Sequence, residues 1–351
     1  MNYLSDRARG LQPYVAGVQP KGSGWIKLNT NENPYPPSPK VIEALQNARA
    51  SDLRLYPDGD SAGLREALAA DLGVNAENIF AGNGSDEVLA LAFQAFFSGR
   101  DNVLTPDISY GFYPVWCGMY GVKARFIPLG EGFALNARDY QGGNGVVLAN
   151  PNAPTGIALA LPEIEEIVKA NRGGVVIVDE AYIDFANVAS AIGLVGGYDN
   201  LLVVRTFSKS HSLAGLRVGY AAGHPKLISG LRAVKDAFHS YPLGMLAQAL
   251  ATAAIYDTGY REETGGRIVR TRDQTAARLR KLGWNVLPSQ ANFLFLEAEN
   301  AKELYEYLLA RQILVRYWDR PGISRFLRVT VGTDAEMEVL VQCIEKQRRQ
   351  R

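Results

Sequence analysis

Residues 201–221 read LLVVRTFSKSHSLAGLRVGYA, and this stretch decides the reading of the whole chain. Leu201, Leu202, Val203 and Val204 form a short apolar run of the kind that makes a buried strand. Thr206, Ser208 and Lys209 follow directly, then Gly215, Arg217 and Gly219. Ligands bind where strands leave the edge of an open α/β sheet. A lysine held there can lose its proton and attack a carbonyl, forming a Schiff base. Hydroxyls at 206 and 208 with a guanidinium at 217 suit a phosphate dianion. The combination points to a phosphorylated aldehyde cofactor. For Ser208-Lys209 alone, a loop lysine beside a capping serine is the simpler account, so the case rests on the rest of the chain.

Working outward, strands are expected at 102–105, 123–127, 145–149, 175–179, 201–205 and 217–222. Helical patterns fall at 39–49, 61–72, 88–97, 111–120, 161–170 and 224–236. Alternation with continuously apolar strands such as Val175-Val176-Ile177-Val178 predicts an α/β fold with a mostly parallel sheet between helices. Residues 1–30 carry Pro13, Gly17, Pro20, Gly22 and Gly24 with little periodicity, and read as an arm. Residues 31–245 make the large domain. A helical tract from about 243 to 282, broken near Thr258-Gly259, leads into a smaller α+β domain within 246–351. Its strands are expected near 292–296, 313–316 and 326–331, and its helices at 300–310 and 333–349. Ser38-Pro39 is expected to open the first helix, with serine as its N-cap.

Composition bounds the function. The 351 residues carry a formal net charge of +1, with 47% apolar and 21% charged residues, values of a soluble globular protein. Nothing in that balance favours a nucleic-acid surface or a membrane patch. Cys117 and Cys343 are too few for a disulfide framework, and His211, His224 and His239 form no metal motif. No metal is expected. With no apolar leader at its start, the chain is expected in the reducing cytoplasm.

The other strand exits supply matching chemistry. Asp179, in Asp179-Glu180-Ala181-Tyr182, ends a very apolar strand, where a carboxylate needs a cationic or protonated partner. A protonated pyridine nitrogen is one such partner, and Tyr182 then suits a phenolic oxygen on the same ring. An aspartate capping the next element is the alternative. Gly82-Asn83-Gly84-Ser85-Asp86-Glu87 opens a helix, where an anion or an ordinary cap both fit. Tyr110 follows another exit and suits stacking on a flat ring. Asn150-Pro151-Asn152-Ala153-Pro154-Thr155-Gly156 leaves a fourth strand with amides to offer. Arg316 and Arg328 sit among apolar neighbours and call for anionic partners, either a structural carboxylate or a substrate.

Taken together, NENPYPPSP (31–39), LYPDG (55–59), GNGSDE (82–87), NPNAPTG (150–156), DEAYIDF (179–185), TFSKSHSLAGLRVGY (206–220), SQANF (289–293) and FLRVTVGT (326–333) resemble, nearly end to end, the fold-type I pyridoxal-phosphate-dependent aminotransferases, and within them the histidinol-phosphate branch. The resemblance implies a homodimeric enzyme that moves an amino group between L-histidinol phosphate and 2-oxoglutarate in histidine biosynthesis. It implies that Lys209 carries the coenzyme and later moves a proton, that Asp179 pairs with the ring nitrogen, and that Tyr182 bonds the ring oxygen. It implies ring stacking by Tyr110 and a phosphate cradle of Ser85, Asp86, Thr206, Ser208 and Arg217. Tyr56 would reach the phosphate of the neighbouring subunit. Tyr14, Asn33, Asn292, Arg316 and Arg328 would meet the substrate. The family's asparagine before Pro-Thr-Gly is Ala153 here, so Asn152 is expected to supply that amide. An aromatic amino-acid aminotransferase and a threonine-phosphate decarboxylase share the coenzyme residues and are the alternative functions.

Overall fold

The structure, a computed structural model, describes residues 3–349. Met1, Asn2, Gln350 and Arg351, the outermost residues of the arm and of the small domain, lie outside the described residues. In chain order the strands are β1 (Ile26–Lys27), β2 (Ile79–Gly82), β3 (Asp101–Pro106), β4 (Lys123–Ile127), β5 (Gly145–Ala149), β6 (Val175–Asp179) and β7 (Leu201–Thr206). They continue as β8 (Gly219–Gly223), β9 (Asn285–Val286), β10 (Phe293–Glu297), β11 (Ile313–Leu314), β12 (Arg316–Tyr317) and β13 (Phe326–Thr330).

Seven of these strands form one sheet in the order β2-β8-β7-β6-β5-β3-β4. All run parallel except β8, which is antiparallel to both of its neighbours. Its central strands β5, β6 and β7 are buried almost throughout because they are apolar at nearly every position. Val176, Val178, Leu201 and Val203 pack into one cluster, while Ile177, Leu202 and Val204 pack into the other. Successive side chains of a strand point to opposite faces, so an unbroken apolar run fills two cores at once. The carboxyl ends of β3, β5, β6 and β7 share one edge.

The reversed β8 shapes that edge. Thr206, the last residue of β7, lies opposite Gly219, the first of β8, and Gly219 also faces Gly82 at the end of β2. The start of the helix Gly84–Ala92 is thereby pressed against the corner where β7 gives way to Lys209. Gly219 permits that approach: a Cβ there would lie 2.2 Å from the Ser85 nitrogen.

A second, antiparallel sheet in the order β12-β13-β10-β9 carries the C-terminal part. It forms its own core from residues such as Leu294, Leu296, Leu327 and Val329, packed against Leu304, Leu340 and Ile344 of two helices. The helical tract breaks as expected, into Met245–Ile255 and Thr258–Lys281. The arm is not wholly extended, having a short helix at Asp6–Gly10, and it ends in β1, which pairs in parallel with β11 of the C-terminal part. Ser38 does stand at the N-cap of the helix Pro39–Gln46. Its side chain makes no capping bond, however, and its buried Oγ has no partner among the described residues.

Gly219→Ala should cost about 1–3 kcal/mol, since the new methyl collides with backbone that cannot swing aside. A urea titration at unchanged m-value measures the loss, and a wild-type midpoint would show that the helix start is free to shift.

Candidate active site

Beyond the carboxyl edge lies a cavity of about 440 Å³, closed by the arm, the strands and the C-terminal sheet. Lys209 projects into it from the turn after β7, and its Nζ donates to the Thr30 carbonyl at 3.0 Å. The amine is enclosed by protein. That desolvation, with help from the nearby Arg328 cation, lowers its pKa to about 8. A neutral, nucleophilic amine is therefore within reach near neutral pH, unlike that of an ordinary lysine.

Asp179 ends β6 and is 4% exposed. Tyr113 donates its hydroxyl to Oδ2 at 3.0 Å and the Ala181 amide donates to Oδ1 at 3.2 Å. Burial outweighs those bonds and pushes the carboxyl up to about 7. Among the described residues no cation pairs with it. The next side chain, Glu180, points to the other face and is satisfied there by Arg205 at 3.0 Å, Ser190 and the Ala191 amide. Two adjacent carboxylates thus differ in kind: Glu180 is built into a structural ion pair, and Asp179 faces the cavity without a counter-charge.

The corner between β7, β8 and the helix Gly84–Ala92 gathers donors. Thr206 bonds Ser208 at 3.0 Å, and Arg217 reaches Ser208 at 3.3 Å and Asp86 at 3.1 Å. Arg217 holds a left-handed backbone, φ 55°, an uncommon conformation for a residue with a side chain. With the first backbone amides of the helix, these groups gather donors of the kind that hold an anion at a helix start. Tyr110 completes the wall and donates its hydroxyl to Asp86 at 2.7 Å.

Opposite this corner stand two arginines. Arg328, on β13, gives one bond to the Asn29 carbonyl at 2.9 Å, while its buried Nε has no partner among the described residues. Its guanidinium lies 5.4 Å from the Phe293 ring and 5.2 Å from that of Trp318. Arg316 donates to the carbonyls of Val15 and Ala16 and also lies 5.2 Å from Trp318. Among the described residues, neither arginine has a carboxylate at ion-pair distance.

Of the residues expected at a site, Tyr14, Ser85, Asp86, Tyr110, Asp179, Tyr182, Thr206, Ser208, Lys209, Arg217, Arg316 and Arg328 all line this cavity. Four do not. Asn33 donates to the carbonyls of Lys209 and Ser210, so it grips the lysine's backbone rather than the cleft. Asn292 is fully buried and holds the Asn31 carbonyl. The amide of Asn152 is spent on the Ile108 carbonyl and Thr155, and its oxygen accepts from Ser109. The cavity wall at that point is Ala153, so the expected replacement amide is not supplied by Asn152. Tyr56 lies away from the cavity, 81% exposed and stacked on Tyr241 at 4.7 Å.

Three participants escaped the sequence reading. Tyr113 reaches Asp179 from a helix two strands away, which no local pattern shows. Thr30 and Asn31 come from the segment beginning NENPYPPSP and its neighbour. The one local signal was an asparagine in a proline-rich turn, a residue that tolerates positive φ. Asn31 has φ 56°. Among the described residues, no group of His, Cys, Asp and Glu is placed to hold a metal, and no helix is long and apolar enough to cross a membrane.

A family model for aminotransferase class I and II matches residues 23–344. The chain belongs to that family. A histidinol-phosphate aminotransferase of Bordetella parapertussis is 51% identical over 350 residues, with 98% of each chain covered. One from Acinetobacter baumannii is 48% identical over 352 residues, covering 99% of this chain and 97% of that one. Among solved structures, histidinol-phosphate aminotransferase from Sinorhizobium meliloti, in complex with pyridoxal-5'-phosphate, superposes with a TM-score of 0.87. It is 24% identical, covering 99% of this chain and 97% of that one, a likeness that speaks for the fold. The motif resemblance to aminotransferases is borne out.

The lysine can be tested without any cofactor. Labelling by acetic anhydride across a pH series, read by mass spectrometry, should show Lys209 gaining reactivity through about pH 8 as the neutral amine appears. Ordinary lysines should lag about two units higher. Lys209 rising together with those would mean that the cavity does not desolvate it.

Proposed function

We propose that this aminotransferase uses pyridoxal 5'-phosphate to exchange an amino group between L-histidinol phosphate and 2-oxoglutarate, as a step of histidine biosynthesis. One observation carries the reading: two guanidiniums without carboxylate partners share a cavity with an amine whose pKa is lowered to about 8. A substrate with a primary amine at one end and a phosphate at the other spans such a cavity. A dicarboxylate acceptor satisfies the same arginines. Relatives named histidinol-phosphate aminotransferase, 46–51% identical across nearly the whole chain, support it.

The residues present fit the coenzyme. Asp179, driven up to about 7 by burial, is the acceptor that a cationic ring nitrogen would hold ionised. Thr206, Ser208, Arg217 and the amides of Ser85 and Asp86 would hold the phosphate, Tyr110 would lie against the ring, and Tyr182 would meet the ring oxygen. When bound, the coenzyme supplies an electrophilic carbonyl and a ring that accepts an electron pair. Lys209 Nζ would first carry it, then take the proton from the substrate carbon bearing the amino group and deliver it to the coenzyme's carbonyl carbon, where the amino group stays. Arg316 and Arg328 would fix the substrate's anionic end so that this carbon faces Lys209.

We further propose a homodimer. Leu53, Leu55 and Phe238, close in sequence to the stacked Tyr56 and Tyr241, are exposed apolar side chains, and Tyr56 would complete the phosphate site of a second copy. Two free, buried cysteines suit work in the cytoplasm.

The test is a single half-reaction. Coenzyme-loaded protein mixed with L-histidinol phosphate should lose its visible absorption rapidly, while phenylalanine and phosphate-free histidinol act slowly. Equal or faster conversion by aromatic amino acids would leave the chemistry and remove the substrate assignment. Lys209→Ala should lower turnover at least about 100-fold, and turnover at the wild-type rate would reassign the catalytic amine. Arg328→Gln should lower kcat/KM for histidinol phosphate about 10- to 100-fold, with little change for phosphate-free histidinol. An equal loss for both would place the phosphate elsewhere.

A further inference from the structure

Asn31 is 1% exposed and holds its left-handed backbone by three bonds. Its amide nitrogen donates to Thr330 Oγ1 at 2.9 Å, the Thr330 hydroxyl donates back to Asn31 Oδ1 at 3.0 Å, and Asn292 holds its carbonyl at 3.0 Å. This pairing fixes which way the side-chain amide faces. With Oδ1 committed to Thr330, Nδ2 points into the site and donates to the Tyr182 hydroxyl at 3.0 Å. Tyr182 therefore accepts from Asn31 and keeps its own hydrogen for the cavity; among the described residues no group takes it. Burial raises the phenol's pKa, so the hydrogen stays in place. The neighbouring wall has no substitute donor, because Ala153 offers none and the amide hydrogens of Asn152 are spent on Ile108 and Thr155.

We propose that Asn31 is a positioning residue for the reaction: clamped by Thr330, it donates to Tyr182 and thereby turns that hydroxyl into a hydrogen-bond donor aimed at the coenzyme's ring oxygen. Thr330 belongs to β13, the strand that carries Arg328 two residues earlier, so one rigid element sets both the substrate's anion clamp and the orientation of Tyr182. The inference rests on the coenzyme reading above.

It has a spectroscopic consequence. A donor at the ring oxygen draws charge from it and so weakens its hold on the proton of the nitrogen joining Lys209 to the coenzyme. Without Asn31 the hydroxyl is free to turn away, and that nitrogen keeps its proton to higher pH. The experiment is a pH titration of the visible band of loaded protein, comparing wild type, Asn31→Gly, Thr330→Val, Tyr182→Phe and Asn31→Gly/Tyr182→Phe. Glycine tolerates the left-handed backbone, so Asn31→Gly removes the side-chain amide, with its bonds to Tyr182 and Thr330, and leaves the backbone conformation accessible. Its midpoint should rise by about half to one pH unit, the worth of one hydrogen bond. Thr330→Val should rise in the same direction by less, and the double variant should rise no further than Tyr182→Phe alone. A wild-type midpoint in loaded Asn31→Gly, or an undiminished extra shift in the double variant, overturns the proposal. If Asn31→Gly does not load, Thr330→Val alone and combined with Tyr182→Phe decides by the same two criteria. A wild-type protein without any titrating visible band sinks the coenzyme reading and this inference together, whereas an unmoved midpoint sinks only the role of Asn31.

Discussion

Desolvation at the carboxyl edge of β5, β6 and β7 is the constraint on which the rest of the structure depends. The cavity keeps an amine, a carboxyl and a guanidinium out of water without pairing any of them with an opposite charge. Each would be cheaper on the surface. The effects on Lys209 and Asp179 run in opposite senses. Burial raises Asp179, so the coenzyme-free fold loses stability as pH climbs from the ordinary carboxyl range to about 7. Burial lowers Lys209, so the fold gains stability as pH climbs from about 8 toward the ordinary lysine range. On the proposed function, a cationic ring nitrogen beside Asp179 would remove the first penalty, and a carbonyl group held by Lys209 would remove the second. The two penalties are thus of the kind that the proposed coenzyme would relieve.

Such strain persists only because the sheet beneath is secure. Strands β5, β6 and β7 are apolar at nearly every position and feed both cores, so the edge cannot sag to let water in. The reversed β8 adds the second requirement, a close corner. With Gly219 opposite Thr206 and against Ser85, this corner is made from backbone that has no room to relax. Arg217 closes it from a left-handed conformation that isolated chain would avoid.

The parts of this design that are local in sequence were legible there. Apolar runs ending in Asp179 and at Thr206-Phe207-Ser208-Lys209 announced both the parallel sheet and its reactive edge, because a strand's burial and its exit are written within ten residues. Strand β2 escaped the strand assignments since it has only four residues between a helix and the Gly82–Ser85 turn. The β1–β11 pairing escaped because two residues carry no period and their partners lie almost the whole chain away. Asn33 and Asn292 were read as cleft residues on the strength of their motifs. The amides turned out to hold backbone carbonyls instead, which depends on a fold-wide juxtaposition that spacing does not encode.

The same distinction explains why Asn31 matters beyond its own bonds. Residues that touch a ligand can be inferred from what chemistry they offer, but the direction of a hydroxyl is decided by whatever else shares its lone pairs. Tyr182 offers the same phenol whether it donates or accepts. Here the choice is made from behind, by an amide whose own orientation is locked by Thr330 on the strand of the C-terminal sheet that also bears Arg328. Joining β1 to β11, and Asn31 to Thr330, makes the end of the arm a structural part of the C-terminal sheet. Arg328 and the amide behind Tyr182 are consequently both held through β13, while Tyr182 itself, Asp179 and Lys209 follow strands of the large sheet. The cavity is therefore lined from both sheets, and the Asn31–Tyr182 bond is one place where the two are joined.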